Sequence, residues 1–253
     1  IRDVERSRGL GDVYKRQFSS RILIPMDDSQ TNHLKAYGVT FWVLGNGVEA
    51  QWLLNYRGGS FMLPNINSIA EECVIRGVSF NIIADVQADQ ILNEISATEA
   101  NMESVKLEKS PKIAVYSPAG KLPWDDAVTL VLTYAEIPYE IVYDEEVLSG
   151  VLPKYDWLHL HHEDFTGQFG KFYKAFRTAT WYQDEVDSQN ASANFMGFQK
   201  VSEMKREVSL TIRNFVLGGG FLFTMCSGTD SFDIALAAQN VDISDPMFDR
   251  DPS

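Results

Sequence analysis

Gly218-Gly219-Gly220-Phe221-Leu222-Phe223-Thr224-Met225-Cys226-Ser227-Gly228 is the stretch on which the fold turns. Its three glycines end a long amphipathic run, Lys200–Leu217, because glycine enters the left-handed turn of a helix terminus with the least steric penalty. The run Phe221–Met225 is short and apolar, as a buried strand is. A second helical pattern, Asp230–Ala238, follows Gly228. Helix, strand and helix in direct succession predict one step of a parallel sheet. The junction residue, Cys226, then stands at the carboxyl end of a strand, where ligands bind in open parallel sheets.

Working outward, the same alternation fills the second half of the chain. Lys112–Ser117 reads as a buried strand, and Trp124-Asp125-Asp126 opens a helix over Ala127–Ile137. Tyr139–Asp144 and Tyr155–His162 are the next two strands. The first half carries an earlier series: strand Arg21–Met26, helix Thr31–Leu44, strand Ala50–Asn55, turn Arg57-Gly58-Gly59, helix Ile66–Arg76, strand Ser79–Ala84 and helix Ala88–Ile95. The polar stretch Ser96–Ser110 reads as a linker. The expected fold class is α/β, a parallel sheet with helices on both faces spanning 110–253, preceded by a smaller α/β unit spanning 18–105. Ile24 with Ile113, and Val39-Thr40 with Val128-Thr129, recur at an offset of 89, which raises a duplication of one strand–helix–strand unit.

The bulk properties bound the partners. In 253 residues, 45% hydrophobic and 12% aromatic content supply a packed core. A net charge of −13 disfavours nucleic acid and anionic lipid as partners. No apolar run approaches the roughly 18–20 residues of a membrane span, so no transmembrane segment is expected. Cys73 and Cys226 make no disulfide framework. Asp12–Gln17 can be encoded by GATGTGTATAAGAGACAG, which resembles a transposon end used in sequencing adaptors. Ile1–Gln17 is therefore expected to be translated adaptor without a fold of its own. Removing its five basic and three acidic residues takes the net charge to −13 − 2 = −15. The tail Asp245–Ser253 ends in loop-like sequence, so further residues are expected beyond it.

Three strand ends carry candidate chemistry. Cys226 is a candidate nucleophile, since helix N-termini favour anions such as a thiolate and offer amides to an oxyanion. A free cysteine is otherwise a small buried hydrophobe. His161, His162 and Glu163, followed by Asp164, suit general acid and base work or a solvated loop start. Imidazole and carboxylate also ligate zinc or manganese, but neighbours on a strand point to opposite faces, so both imidazoles reach one ion only if the chain bends, and no metal ligand is assigned. His159 reads as a core residue and His33 as a surface one. Ser227, Gly228 and Thr229 either cradle a phosphate or, with Thr229 or Asp230 as N-cap, simply start a helix. The residues name no cofactor. The aromatic-rich segment Phe165–Phe198 reads as an insertion, a lid or rim whose aromatics could stack on a small sugar-like ligand or on a partner protein, or else as part of the core.

The second half, Lys112 to about Ala238, resembles the class I glutamine amidotransferase-like, flavodoxin-like fold. The likeness is carried by Gly218–Gly228, which matches the family's glycine-rich lead-in, strand and Gly-x-Cys-x-Gly elbow, with Thr224 in place of the first glycine and Gly228 as the second. It implies a cysteine nucleophile at Cys226, with the family's catalytic histidine and glutamate beyond Ser253. Ser20–Asp27, Trp52–Ser60 and Tyr155–Phe165 are similar to a family of exported proteins of Gram-negative bacteria labelled "asparagine synthetase B". That likeness implies a signal peptide and a periplasmic or secreted location. The label implies an ATP-dependent, glutamine-hydrolysing asparagine synthetase, in which Ser227-Gly-Thr-Asp-Ser231 resembles a pyrophosphate loop one residue short. A non-catalytic binding or structural module of the envelope is the further alternative.

Overall fold

The computed structural model describes residues 20–97, 99, 101–118, 127–167, 169–239, 241–243 and 245–249. The expectations for Ile1–Gln17 and for Trp124–Asp126 lie outside the described residues. The chain divides into two units, Ile1–Ser110 with Tyr134–Ile137, and Pro111–Thr133 with Pro138–Ser253.

The first unit contains β1 (Ser20–Ile24), α1 (His33–Gly45), β2 (Ala50–Leu54), β3 (Ser60–Pro64), α2 (Asn67–Ile75), β4 (Asn81–Ala84), α3 (Asp85–Ile95) and β5 (Glu103–Leu107). Its sheet runs β4-β1-β3-β2-β5 and every pairing is antiparallel, although its strands and helices alternate in the sequence as those of a parallel sheet do. The difference lies in Ser60-Phe-Met-Leu-Pro64, an apolar run that follows the Arg57-Gly58-Gly59 turn at once. It folds back on β2 as a hairpin, with Trp52 opposite Phe61. The turn demands its glycines. Gly58 has φ 79°, and a Cβ there would stand 2.3 Å from the Met26 carbonyl oxygen. Nor is Ser96–Ser110 only a linker. Half-buried Val105 and Leu107 alternate with exposed Ser104 and Lys106, and this period of two pairs β5 with β2. An antiparallel first sheet and a parallel second one rule out duplication of a single unit.

Alternation along the strands builds a core on each face of this sheet. Ile22, Ile24, Phe61 and Leu63 pack with Val39 and Val43 of α1 and with Ile69 and Cys73 of α2. Leu23, Leu53, Met62 and Ile83 pack with Ala88 and Ile95 of α3. His33, expected on the surface, is exposed, but its Nε2 lies 3.1 Å from the Met26 carbonyl oxygen.

The second unit contains β6 (Ile113–Tyr116), all but the last two residues of α4 (Ala127–Ala135), β7 (Glu140–Val142), α5 (Asp144–Leu148), β8 (Trp157–Leu160), α6 (Gly170–Phe176), α7 (Thr180–Phe195), α8 (Val201–Leu217), β9 (Phe221–Thr224), α9 (Cys226–Ala237) and α10 (Pro246–Asp249). Its sheet runs β7-β6-β8-β9 and is parallel throughout, as expected. Val208, Ile212 and Phe215, three and four apart on α8, seat on Ala114, Tyr116, Leu158 and Leu160. β6 is buried at every position, so both its faces are covered. On β9, Phe221 and Phe223 are exposed. Among the described residues, no helix is long and apolar enough to cross a membrane.

Burial pushes the Cys73 thiol up to about 12, with the nearby Glu72 charge adding to it. The raised value stabilises the fold fully below the ordinary thiol range of about 8.5, and the contribution disappears as pH rises toward the folded value. Cys73 is therefore expected to resist iodoacetamide in the native protein at mildly alkaline pH and to react once guanidinium unfolds the chain. Mass spectrometry of the alkylated peptides checks this, and native modification of Cys73 as fast as that of Cys226 contradicts the packing of α2.

Candidate functional site

The parallel sheet gathers four different chemistries at its carboxyl edge. Tyr116 ends β6, Asp144 opens α5 after β7, His161–Asp164 follow β8, and Cys226 follows β9. The β8–β9 ladder is extended past the strands by the Met225 amide, which donates to the Leu160 carbonyl at 3.0 Å. The next residue, Cys226, has φ 53°, a left-handed conformation uncommon for any side chain but glycine, and it is exposed.

The helix begins at Cys226 itself. Asp230 was the expected start, with Thr229 or Asp230 as cap, because hydroxyl and carboxylate side chains read as caps in sequence. Tertiary contacts begin the helix earlier. The Gly228 amide donates to the His161 carbonyl at 2.9 Å, and a Cβ at Gly228 would stand 2.4 Å from that oxygen. Ser227 Oγ donates to the His162 carbonyl at 3.1 Å and Ser231 Oγ to the Glu163 carbonyl at 2.9 Å. The Phe165 amide returns a bond to Ser231 Oγ at 3.2 Å. Thr229 Oγ1 is turned to Thr224 Oγ1, 3.1 Å away. Ser227, Gly228 and Thr229 thus lie in the first turn of α9, where the Gly228 amide and the hydroxyls of Ser227 and Thr229 are engaged with the protein.

β8 ends at Leu160 and the chain bends at His162, which supplies the bend that strand alternation withheld. The two imidazoles meet with Nδ1 atoms 3.1 Å apart and rings at 75°. Glu163, 8% exposed, places Oε1 at 3.8 Å from His162 Nε2. Asp164 shapes the loop, accepting from the Thr166 amide at 2.8 Å and from its hydroxyl at 2.5 Å. His159 is buried, as expected, and stacks on Phe223 at 5.6 Å. Among the described residues, no group of three or more histidine, cysteine, aspartate or glutamate side chains is placed to hold a metal ion.

A second cluster at this edge escaped sequence reasoning. Lys205 is buried on α8 and its Nζ lies 2.8 Å from Asp144 Oδ2. The same Nζ donates to the Tyr116 hydroxyl at 3.0 Å and to the Tyr143 hydroxyl at 3.3 Å, and it sits 4.5 Å from the Tyr143 ring centroid. The Tyr116 hydroxyl also donates to Asp144. Burial works against the Lys205 charge, but Tyr143 and Asp144 outweigh it and raise its proton affinity above that of an ordinary lysine. Burial holds the Tyr143 hydroxyl up at about 12 and that of Tyr116 well above the ordinary tyrosine value. The Glu163 charge also acts on Lys205. One signal was present in the sequence: Lys205 occupies the apolar stripe of α8, between Val201 and Met204 on one side and Val208 on the other.

The insertion Phe165–Phe198 folds into α6 and α7. Phe172 and Phe176 of α6 gather round Trp181 of α7. A cavity of about 380 Å³ lies among Phe165, Thr166, Ser202, Arg206, Ala235 and Asp242. Another, of about 620 Å³, lies among Tyr173, Arg177, Tyr182, Asp187, Asn190 and Gln199. Lys200 borders both, and Cys226 borders neither.

No protein-family model matches the chain, and neither do the curated proteins or solved structures compared with it.

Removing one partner of a buried ion pair leaves the other uncompensated. Lys205→Met is therefore expected to lower stability by about 3–5 kcal/mol in urea unfolding. A change within about 0.5 kcal/mol, the scale of an ordinary surface substitution, contradicts the buried pair.

Proposed function

We propose that the second unit is a class I glutamine amidotransferase-like, flavodoxin-like domain of an exported protein, using Cys226 to hydrolyse or transfer an acyl group of a small polar or sugar-like ligand. The observation that carries this reading is the left-handed, exposed Cys226 at the end of β9, pinned by Gly228 against the His161 carbonyl. Strain of about 1–3 kcal/mol at a single residue persists where the surroundings over-determine it, and such residues cluster at reactive sites. The resemblance of Gly218–Gly228 to the family's elbow supports the same assignment, as does the parallel sheet. The exported location follows from the likeness of Tyr155–Phe165 and its companions.

The chemistry follows from the position. Cys226 Sγ attacks the carbonyl carbon of an amide or ester, forming a thioester as the bond to the leaving amine or alcohol breaks. The thiol proton goes to a base and then to the leaving group, and water or an acceptor amine releases the acyl group.

A second reading, a non-catalytic module that binds a small polar ligand, is favoured by the two cavities, which are bordered by charged and hydroxyl side chains and not by Cys226. The ATP-dependent synthetase reading has less support. It needs Ser227–Ser231 as a loop with open amides, whereas these residues are helical and the Gly228 amide is engaged.

p-Nitrophenyl acetate serves as a generic acyl donor. The native protein is expected to carry acetyl on Cys226 and to turn over, and Cys226→Ala to lose about a hundredfold or more of that rate with unchanged thermal unfolding. Full turnover in Cys226→Ala removes the nucleophile and leaves the binding module.

A further inference from the structure

We propose that a cavity at the amino edge of the parallel sheet, among Tyr155, Asp156, Phe215 and Gly218–Gly220, binds a small organic cation with a flat apolar body, of the class of protonated arylalkylamines. Asp156 and Gly220 are the residues just before β8 and β9, so this site lies at the opposite edge of the sheet from Cys226 and stands apart from the nucleophile reading. The cavity measures about 500 Å³, within the range of about 300–1,000 Å³ usual for small-molecule sites. Leu152, Pro153 and the rings of Tyr155 and Phe215 give it apolar walls. Gly218–Gly220 add backbone without side chains, and a Cβ at Gly220 would stand 2.2 Å from the Phe215 ring. The glycines that end α8 therefore also shape this wall.

The preference for a cation has three sources. Among the described residues that line the cavity, Asp156 is the single charged one. Its Oδ2 accepts the Lys112 amide at 2.8 Å, which holds the carboxylate in place. The second source is α8, whose carbonyl end borders the cavity at Asn214, Phe215 and Gly218. A helix C-terminus carries a partial negative charge, and the last turn of α8 has no basic residue to offset it. The third is Tyr155, whose hydroxyl donates to Glu140 Oε2 at 2.7 Å. Burial and the Glu140 and Glu146 charges push that hydroxyl up to about 12. Thr211 and Asn214 supply side-chain oxygens that can accept from an ammonium, and an aromatic ring near a cation adds to the attraction. Arg213 donates from Nη2 to Asn214 Oδ1 at 3.2 Å but is not one of the lining residues.

Benzylamine, protonated near neutral pH, is the probe, with benzyl alcohol as its uncharged counterpart and benzoate as the anion. Amide correlation spectra of the whole chain locate and titrate each. Benzylamine is expected to shift the Gly218–Gly220 amides and the Asn214 side-chain amide, and to bind about tenfold or more tightly than benzyl alcohol, with benzoate weaker than both. Asn214 is exposed on α8, where lysine and glutamate are both good helix formers. Asn214→Lys is expected to weaken benzylamine about tenfold or more and to leave benzyl alcohol unchanged, and Asn214→Glu to strengthen benzylamine. Equal affinity for benzylamine and benzyl alcohol, equal affinity of the two variants for benzylamine, shifts confined to residues away from the cavity, or no shift at millimolar benzylamine each overturn the assignment. The comparison of the three probes on the native chain decides the matter even where a variant fails to fold.

Discussion

The candidate site of the second unit depends on one backbone contact, the Gly228 amide donating to the His161 carbonyl between the ends of β8 and β9. Gly228 is the third residue of α9, so its amide has no acceptor within the helix and must find one elsewhere. The acceptor is the first residue past β8, and the approach leaves no space for a Cβ. With the helix start held there, the residue joining β9 to α9 has to turn left-handed, and that residue is Cys226. The hydroxyls of Ser227 and Ser231 fasten the same turn to the His162 and Glu163 carbonyls. A strained cysteine at the strand end is the geometric result of several ordinary hydrogen bonds.

Beside it lies chemistry of the opposite kind. Lys205 and Asp144 are buried almost completely, where an ion pair persists only if its remaining protons and lone pairs are satisfied. The hydroxyls of Tyr116 and Tyr143 do that, and the Tyr143 ring faces the ammonium. This cluster ties α8 to the ends of β6 and β7, while the thiol and imidazoles stand at the ends of β9 and β8. Glu163 links the two groups, since its charge is felt at Lys205 and its carboxylate faces His162. The ion pair is buried, whereas Cys226 is exposed and His161 and His162 are half-buried.

The parts of this arrangement that follow from local pattern could be read in the sequence. Apolar runs separated by helical stretches predict the parallel second sheet, and a cysteine after such a run stands at its carboxyl edge. What depends on tertiary contact could not be read. Ser60–Pro64 is a strand because it folds back over Gly58 and Gly59, and without it the first sheet reads as parallel. The start of α9 is set by the His161 carbonyl, so the Thr229–Asp230 cap signal misleads. The meeting of His161 and His162 needs a bend that alternation along a strand does not predict. Lys205 could have been singled out as a cation on the apolar stripe of α8, but its partners Asp144, Tyr116 and Tyr143 come from two other strand ends.

Amide hydrogen exchange at Gly228, followed residue by residue by NMR, tests the central contact most directly. First-turn amides of a helix ordinarily exchange with solvent, because they lack intrahelical acceptors. The account predicts a Gly228 amide as protected as those in the middle of α9. A Gly228 amide that exchanges at the rate of an unstructured peptide, in protein whose β8 and β9 amides remain protected, contradicts it.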